Sequence, residues 1–164
     1  VDFSNAQIES GATAITYFDP ISSTTIIPKE LYLETGFEVA KRTISQIKGA
    51  TATHFASGNC LSLMPYLPDT GTAVVGVSVF EDLSELKKAA DKKLTLLGNL
   101  NAIEMRNWSV EQTKQYVKEA IQKGAKGGGF ILGENHGEIP WQVEEETLLA
   151  IKDAVREYGT YPME

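Results

Sequence analysis

The sequence predicts an α/β fold built on a parallel sheet, and three features predict it. Short apolar runs alternate five times with longer helical patterns, helices are closed by glycines, and polar residues gather just past each apolar run. Strands joined through helices of this length run parallel, because each crossover returns the chain to the same end of the sheet. Two architectures meet that requirement. One is a complete five-strand open sheet; the other is part of a closed eightfold barrel, which needs roughly 250 residues and would here lack about three units. In both, ligands sit outside the carboxyl ends of the strands, so the same residues form the active rim.

The elements follow in order. Val1 stands in what reads as the middle of an element, so a truncated, processed or incompletely observed polypeptide is expected. The first strand is expected over Thr13 to Phe18, ended by Asp19-Pro20, and Ser22-Ser23-Thr24-Thr25 leads to Pro28 near a helix start. That helix carries the stripe Leu33, Phe37, Ala40, Ile44, Ile47 and stops at Gly49. A second strand, Thr51 to Phe55, precedes a short helical segment around Leu61 to Leu67, and a third covers Ala73 to Val79. Asp82 and Glu85 form a candidate capping box for a helix with Leu83, Leu86 and Ala90 inward. The fourth strand, Leu94 to Leu97, runs into Gly98-Asn99-Leu100-Asn101 and a long loop. A second capping box, Ser109 and Gln112, opens a helix with Val117 and Ile121 inward, closed by Gly124. The fifth strand is Gly129 to Leu132, and the last helix has the stripe Leu148, Ile151, Val155, Tyr158. The whole of 1–164 is expected to form one α/β domain.

With 42% hydrophobic and 23% charged residues, the chain has the mixture of an ordinary globular domain. A formal charge of −7 gives no electrostatic reason to expect nucleic acid or an anionic membrane as partner. The pairs Lys87-Lys88 and Lys92-Lys93 read as solvated helix and turn positions. No apolar run approaches the ~20 residues that span a bilayer. Cys60 is the single cysteine, so no intrachain disulfide is possible and a reducing cytoplasm is the expected location.

The residues just past the strands are Asp19, His54, Ser78 with Glu81 and Asp82, Asn99 with Asn101, and Glu134 with His136. The only two histidines both fall at strand ends on this rim. His136 follows a Gly-Gly-Gly-Phe lead-in and precedes Gly137, which permits close approach of backbone to a ligand. The glycines of 124–129 precede a strand rather than joining strand to helix, so they do not match a phosphate-cradling fingerprint, and a flavodoxin-type function is weakly supported.

An ordered set of segments resembles the uroporphyrinogen decarboxylase superfamily: Gly11-Ala12-Thr13-Ala14-Ile15 with Phe18-Asp19-Pro20, then His54, then Leu97-Gly98-Asn99-Leu100-Asn101, then Ile131-Leu132-Gly133 with His136-Gly137. The superfamily includes methyltransferases that move a methyl group from a methylated corrinoid protein to coenzyme M, and this branch is the closer in Asp19-Pro20 and Gly58-Asn59. The resemblance implies that the chain is the C-terminal five βα units of a (β/α)8 TIM barrel.

The methyltransferase branch implies zinc, held by a His-x-Cys motif and a later Cys. His54 matches the histidine, Ala56 stands where the first Cys is expected, and His136 stands near the second. The expected metal ligands are therefore His54, His136 and Cys60, with zinc suited to sulfur and nitrogen donors. His136, Glu134 and Asp19 are the catalytic candidates, with Glu134 orienting a histidine or acting as acid-base group. Asn99 and Ser78 are cofactor-binding candidates. The implied partners are a corrinoid protein carrying the methyl donor, a small methyl acceptor, and a second copy or complementing chain. The decarboxylase branch implies instead a metal-free reaction on a tetrapyrrole, with His136 touching substrate; a third alternative is a non-catalytic corrinoid-binding or assembly subunit.

Overall fold

The computed structural model describes residues 1–162; the last two residues of the expected domain lie outside the described residues. A short helix α1 (Asp2–Glu9) precedes β1 (Ala14–Phe18), and α2 (Lys29–Glu34) and α3 (Gly36–Ile44) lead to β2 (Ala50–His54). Then come β3 (Val74–Gly76), α4 (Leu83–Ala90), β4 (Thr95–Leu100), α5 (Val110–Gly124), β5 (Phe130–Glu134) and α6 (Glu145–Tyr158). All four strand pairings are parallel, in the order β1-β2-β3-β4-β5.

That order decides between the two architectures. An open flavodoxin-type sheet reverses direction once and carries helices on both faces, whereas strands in strictly consecutive order keep every crossover on one side, as in a barrel wall. Side-chain alternation agrees. Ile15, Thr51, Thr53, Val75 and Leu96 are buried on the helix side. In register on the other face stand Thr16 and Phe18, Ala50 and Ala52, Val74, Leu97 and Ile131, partly or fully exposed. The sheet is thus five adjacent staves of a barrel with an uncovered concave side.

Several boundaries differ from the sequence expectation, each for a local reason. The single stripe of Leu33 to Ile47 is two helices, because Thr35 leaves helical geometry (φ −127°, ψ −78°) and bonds its hydroxyl back to the Leu31 carbonyl. The break brings Gly36 against the loop after β1, where an added Cβ would lie 2.5 Å from Ser22 Oγ. Gly49 stands beyond the helix end and instead lets Ile8 of α1 pack close. The segment after β2 forms two 3-10 turns, Leu61–Leu63 and Leu67–Thr70. On α6 the buried positions are Thr147, Ala150 and Ala154, while Leu148 and Val155 are exposed: small side chains let α6 sit close against α5. The caps are as expected at Ser109 and Gln112, which bond reciprocally. Asp82 caps α4 by accepting from the N–H groups of Ser84 and Glu85, without the reciprocal Glu85 bond among the described residues.

β4 and β5 both run further than expected, to Leu100 and Glu134. Asn99 is consequently a strand residue, opposite Gly133. Past the strand ends the loops are tied to one another. Thr24 donates both its N–H and its hydroxyl to the Asn59 carbonyl, and Asn59 N–H returns a bond to Thr25. The Glu81 carboxylate accepts from Cys60 N–H (2.7 Å) and Leu61 N–H (2.8 Å). Ser78 donates to the Ser57 carbonyl, and the Asn99 amide donates to the Ser78 carbonyl. No helix among the described residues is long and apolar enough to cross a membrane.

Magnitudes separate these ties from surface charge pairs. The Lys123–Asp82 pair at 2.9 Å is half exposed on both sides, where solvent and salt screen it and little stability results. Glu81 holds two N–H groups, one belonging to fully buried Cys60, so losing its carboxylate strands donors away from water. Glu81→Ala is expected to destabilise by about 2–3 kcal/mol, and Asp82→Asn by less; urea unfolding of both variants measures the difference.

Candidate functional site

β2 ends by projecting His54 onto the concave side of the sheet, in register with Phe18 of β1 and Gly76 of β3. The imidazole fills the space that a side chain at position 76 would take: a Cβ there would lie 2.5 Å from His54 Cδ2 and 2.9 Å from Nε2. The Phe18 ring covers the imidazole from the other neighbour, centroid to centroid 5.6 Å at 31°. Nδ1 accepts the Ala56 N–H at 2.9 Å. A nitrogen that accepts carries no proton, so neutral His54 has its hydrogen on Nε2 and offers a donor there. Burial lowers its pKa from the usual histidine value, while the charge of Glu134 pushes it partly back up.

β5 ends at Glu134, whose carboxylate turns back to accept the N–H groups of His136 and of Gly137, the latter at 2.8 and 3.0 Å. This fixes the turn. Gly137 (φ +106°) approaches Phe18, with 3.7 Å between Phe18 Cε2 and the position of an added Cβ. The turn after the last strand therefore reaches over the first, and Phe18 is the surface shared by His54 and the Glu134–Gly137 turn. Asn135, 1% exposed, has neither side-chain nitrogen nor oxygen hydrogen-bonded, and His136 Nδ1 is buried without a partner. Buried polar atoms in native proteins are nearly always satisfied, so three such atoms in two consecutive residues mark a place where a ligand or water belongs.

Of the expected site residues, Glu134 lies close enough to His54 for its charge to act on the imidazole, and the turn that carries His136 meets Phe18, which in turn covers His54. The structure does not bring Cys60 to them as a third ligand: no group of three His, Cys, Asp or Glu side chains among the described residues is placed to hold a metal. Cys60 is fully buried, and burial first and Glu81 second push its thiol pKa well up, the opposite of a thiolate ligand. His54 fits zinc poorly as well. A ligating imidazole donates its second N–H to an acceptor, whereas the second nitrogen here faces a donor. The donor set expected for zinc thus does not fit the metal.

Ser78, expected to bind a cofactor, is fully buried with its hydroxyl donating to Ser57 and accepting from Phe80 N–H. Asn99 spends its amide nitrogen on Ser78. Asp19 lies on the α2 side of the rim, beside Tyr17 and Tyr32, whose phenol pKa values are raised by burial first and by Asp19 second. Its backbone N–H bonds the His54 carbonyl. A cleft of about 330 Å³ between α4 and α5, walled by Trp108 and Tyr116, opens nearby, but Glu81, Asp82 and Glu104 within it already hold protein donors. Two features are not evident from the sequence, the room that Gly76 leaves for His54 and the burial of Asn135 beside His136. A glycine inside a strand pattern is a recognised sign of close approach but does not name the partner; nothing in the sequence marks Asn135 as buried.

Five parallel strands in consecutive order, helices on one side, and a histidine-bearing mouth at their carboxyl ends define a protein of the (β/α)8-barrel class. The chain belongs to the uroporphyrinogen decarboxylase family, whose model, "Uroporphyrinogen decarboxylase (URO-D)", matches residues 1–158. Relatives include the uroporphyrinogen decarboxylases of Acidiphilium cryptum, 26% identical over 156 residues (93% of this chain, 42% of that protein), and of Actinobacillus pleuropneumoniae, 27% over 159 residues (94% and 44%). A methyltransferase from Methanosarcina mazei has a similar structure, with TM-score 0.85 and 21% identity over 98% of this chain and 46% of its own. The chain spans less than half the length of these proteins.

Two measurements check the mouth. His54 should titrate below the ordinary histidine range in an NMR pH series, and Glu134→Gln should lower it further; an unchanged value would place the two groups apart. Because the folded pKa is depressed, the unfolded chain takes up its proton first, so this group costs stability as pH falls from the unfolded value toward the folded one. Gly76→Ala should displace the imidazole and shift the His54 ring resonances while leaving those of His136 in place.

Proposed function

We propose that this chain forms the acceptor side of a corrinoid-dependent methyltransferase, transferring a methyl group from a methyl-corrinoid on a partner protein to a thiol or similar small acceptor. What supports the reading is the mouth: three unpartnered buried polar atoms at Asn135 and His136 beside a neutral imidazole that presents Nε2–H. None of the five strands contributes a Lys or Arg. An apolar wall of Phe18, Ala52, Val74, Leu97 and Ile131 suits an uncharged acceptor and the face of a macrocycle better than a substrate with many carboxylates, which needs cations nearby.

In this reading the acceptor would form its new bond to the methyl carbon as that carbon's bond to the partner's corrinoid breaks, the electron pair staying with the corrinoid, and the acceptor's proton would pass to a base on this chain. His54 is a hydrogen-bond donor there, since its Nδ1 lone pair is taken. His136 is the better base, with a buried Nδ1 free of any partner, and Glu134 holds its backbone in place. The concave face and the free edges of β1 and β5 would be covered by further barrel units, from the same polypeptide, a second copy or a complementing chain.

A second reading, a tetrapyrrole decarboxylase, is favoured by the names of the sequence relatives. The full-length protein separates the two. Methyl transfer from methylcobalamin to a thiol is expected to fall by about 100-fold in kcat/KM in His136→Ala, with the fold retained by circular dichroism. Release of CO2 from uroporphyrinogen, with no methyl transfer, would replace the first reading by the second.

A further inference from the structure

The end of the sheet opposite the mouth has a different character. A basin of about 590 Å³ opens at the amino ends of β3, β4 and β5, between the turn after α4 and the glycine run before β5. Five of the chain's fifteen Lys and Arg residues line it, Lys87, Lys88, Lys92, Lys93 and Lys126, against one carboxylate, Asp91. In a chain of formal charge −7 that is a strong local inversion. Asp91 is paired with Lys93 at 3.4 Å, while Lys88, Lys92 and Lys126 form no ion pair among the described residues.

The backbone adds donors. Gly127, Gly128 and Gly129 all have positive φ (+81°, +79° and +66°), and an added Cβ at Gly127 or Gly128 would meet nothing within 4 Å. The run is open to the basin. Lys87 Nζ donates to the Gly128 and Gly129 carbonyls, pinning the run to α4 and turning those oxygens toward α4. The N–H groups of Gly127 and Gly129 donate to no acceptor among the described residues. Exposed N–H groups in such a turn form an anion-binding concavity.

We propose that this basin binds a small polyphosphate chain, as inorganic polyphosphate or as the phosphate tail of a nucleotide, at a site separate from the mouth. Ammonium groups acting as point charges together with free backbone N–H groups are the recognition chemistry of phosphate. The volume exceeds what one phosphate fills and falls in the range of small-molecule sites. No aromatic side chain lines the basin, so nothing there holds a base, and the phosphate chain itself carries the recognition.

Titration calorimetry of the full-length protein with tripolyphosphate tests this. Saturable one-to-one binding is expected, weakening as salt is raised, with ATP binding no tighter than tripolyphosphate and pyrophosphate more weakly. The double substitution Lys92→Glu with Lys126→Glu should weaken binding by about tenfold or more, and Lys88→Gln should weaken it less. Both variants alter exposed side chains and should keep the wild-type thermal midpoint and the His54 titration. Absence of saturable binding, equal affinity in the double variant, or preference for a polyglutamate peptide over tripolyphosphate would overturn the proposal.

Discussion

The carboxylate of Glu81, shared between the N–H groups of Cys60 and Leu61, is the tie on which the arrangement of the rim depends. Strands three to six residues long leave the loops beyond them without a ladder of their own, and backbone groups there need partners from elsewhere. Glu81 provides two, and its neighbours extend the chain of ties: Ser78 reaches back to Ser57, Asn99 reaches back to Ser78, and Thr24 and Thr25 close on Asn59. Each loop is thus held by the next, from the end of β1 to the end of β4. The polar residues that crowd the rim in the sequence are largely consumed in holding it.

What is left over is the mouth. His54 is placed by three neighbours that act on it differently: Gly76 leaves room for the ring, Phe18 covers one side, and Ala56 N–H selects the tautomer. The last of these settles the chemistry more than position does. An imidazole whose Nδ1 accepts a hydrogen bond presents a proton at Nε2, so the same residue in the same place serves as a donor and makes a poor metal ligand. Glu134 acts twice, fixing the turn that carries His136 and opposing the effect of burial on His54. The unpartnered atoms of Asn135 and His136 then lie at the one strand end whose turn is not tied to a neighbouring loop by such side-chain bonds.

Charge is distributed along the barrel axis in a way that net charge conceals. Acidic side chains, Glu81, Asp82, Glu104 and Glu134 among them, stand toward the rim, and five lysines cluster at the opposite end. The pairs Lys87-Lys88 and Lys92-Lys93 look like solvated surface in the sequence because helix and turn positions usually are. Lys87 is instead half-buried and bonded to a glycine run 41 residues away, which draws the α4 and β5 approaches into one basin.

The parallel α/β organisation, the five strands and both helix caps at Asp82 and Ser109 were legible in the sequence, because apolar periodicity and capping chemistry are local properties of a few consecutive residues. The position of His54 and Glu134 at the carboxyl ends of β2 and β5 also follows once the strands run parallel. Tertiary structure alone decided the consecutive strand order, the break at Thr35, the rotation of α6 onto its alanines, and the burial of Asn135 and Cys60. It also decided which rim residues hold loops and which are left without partners. These depend on partners 20 or more residues distant, such as Glu81 for Cys60 and Gly76 for His54, and a side chain's protonation and accessibility are set by such neighbours rather than by its place in the chain.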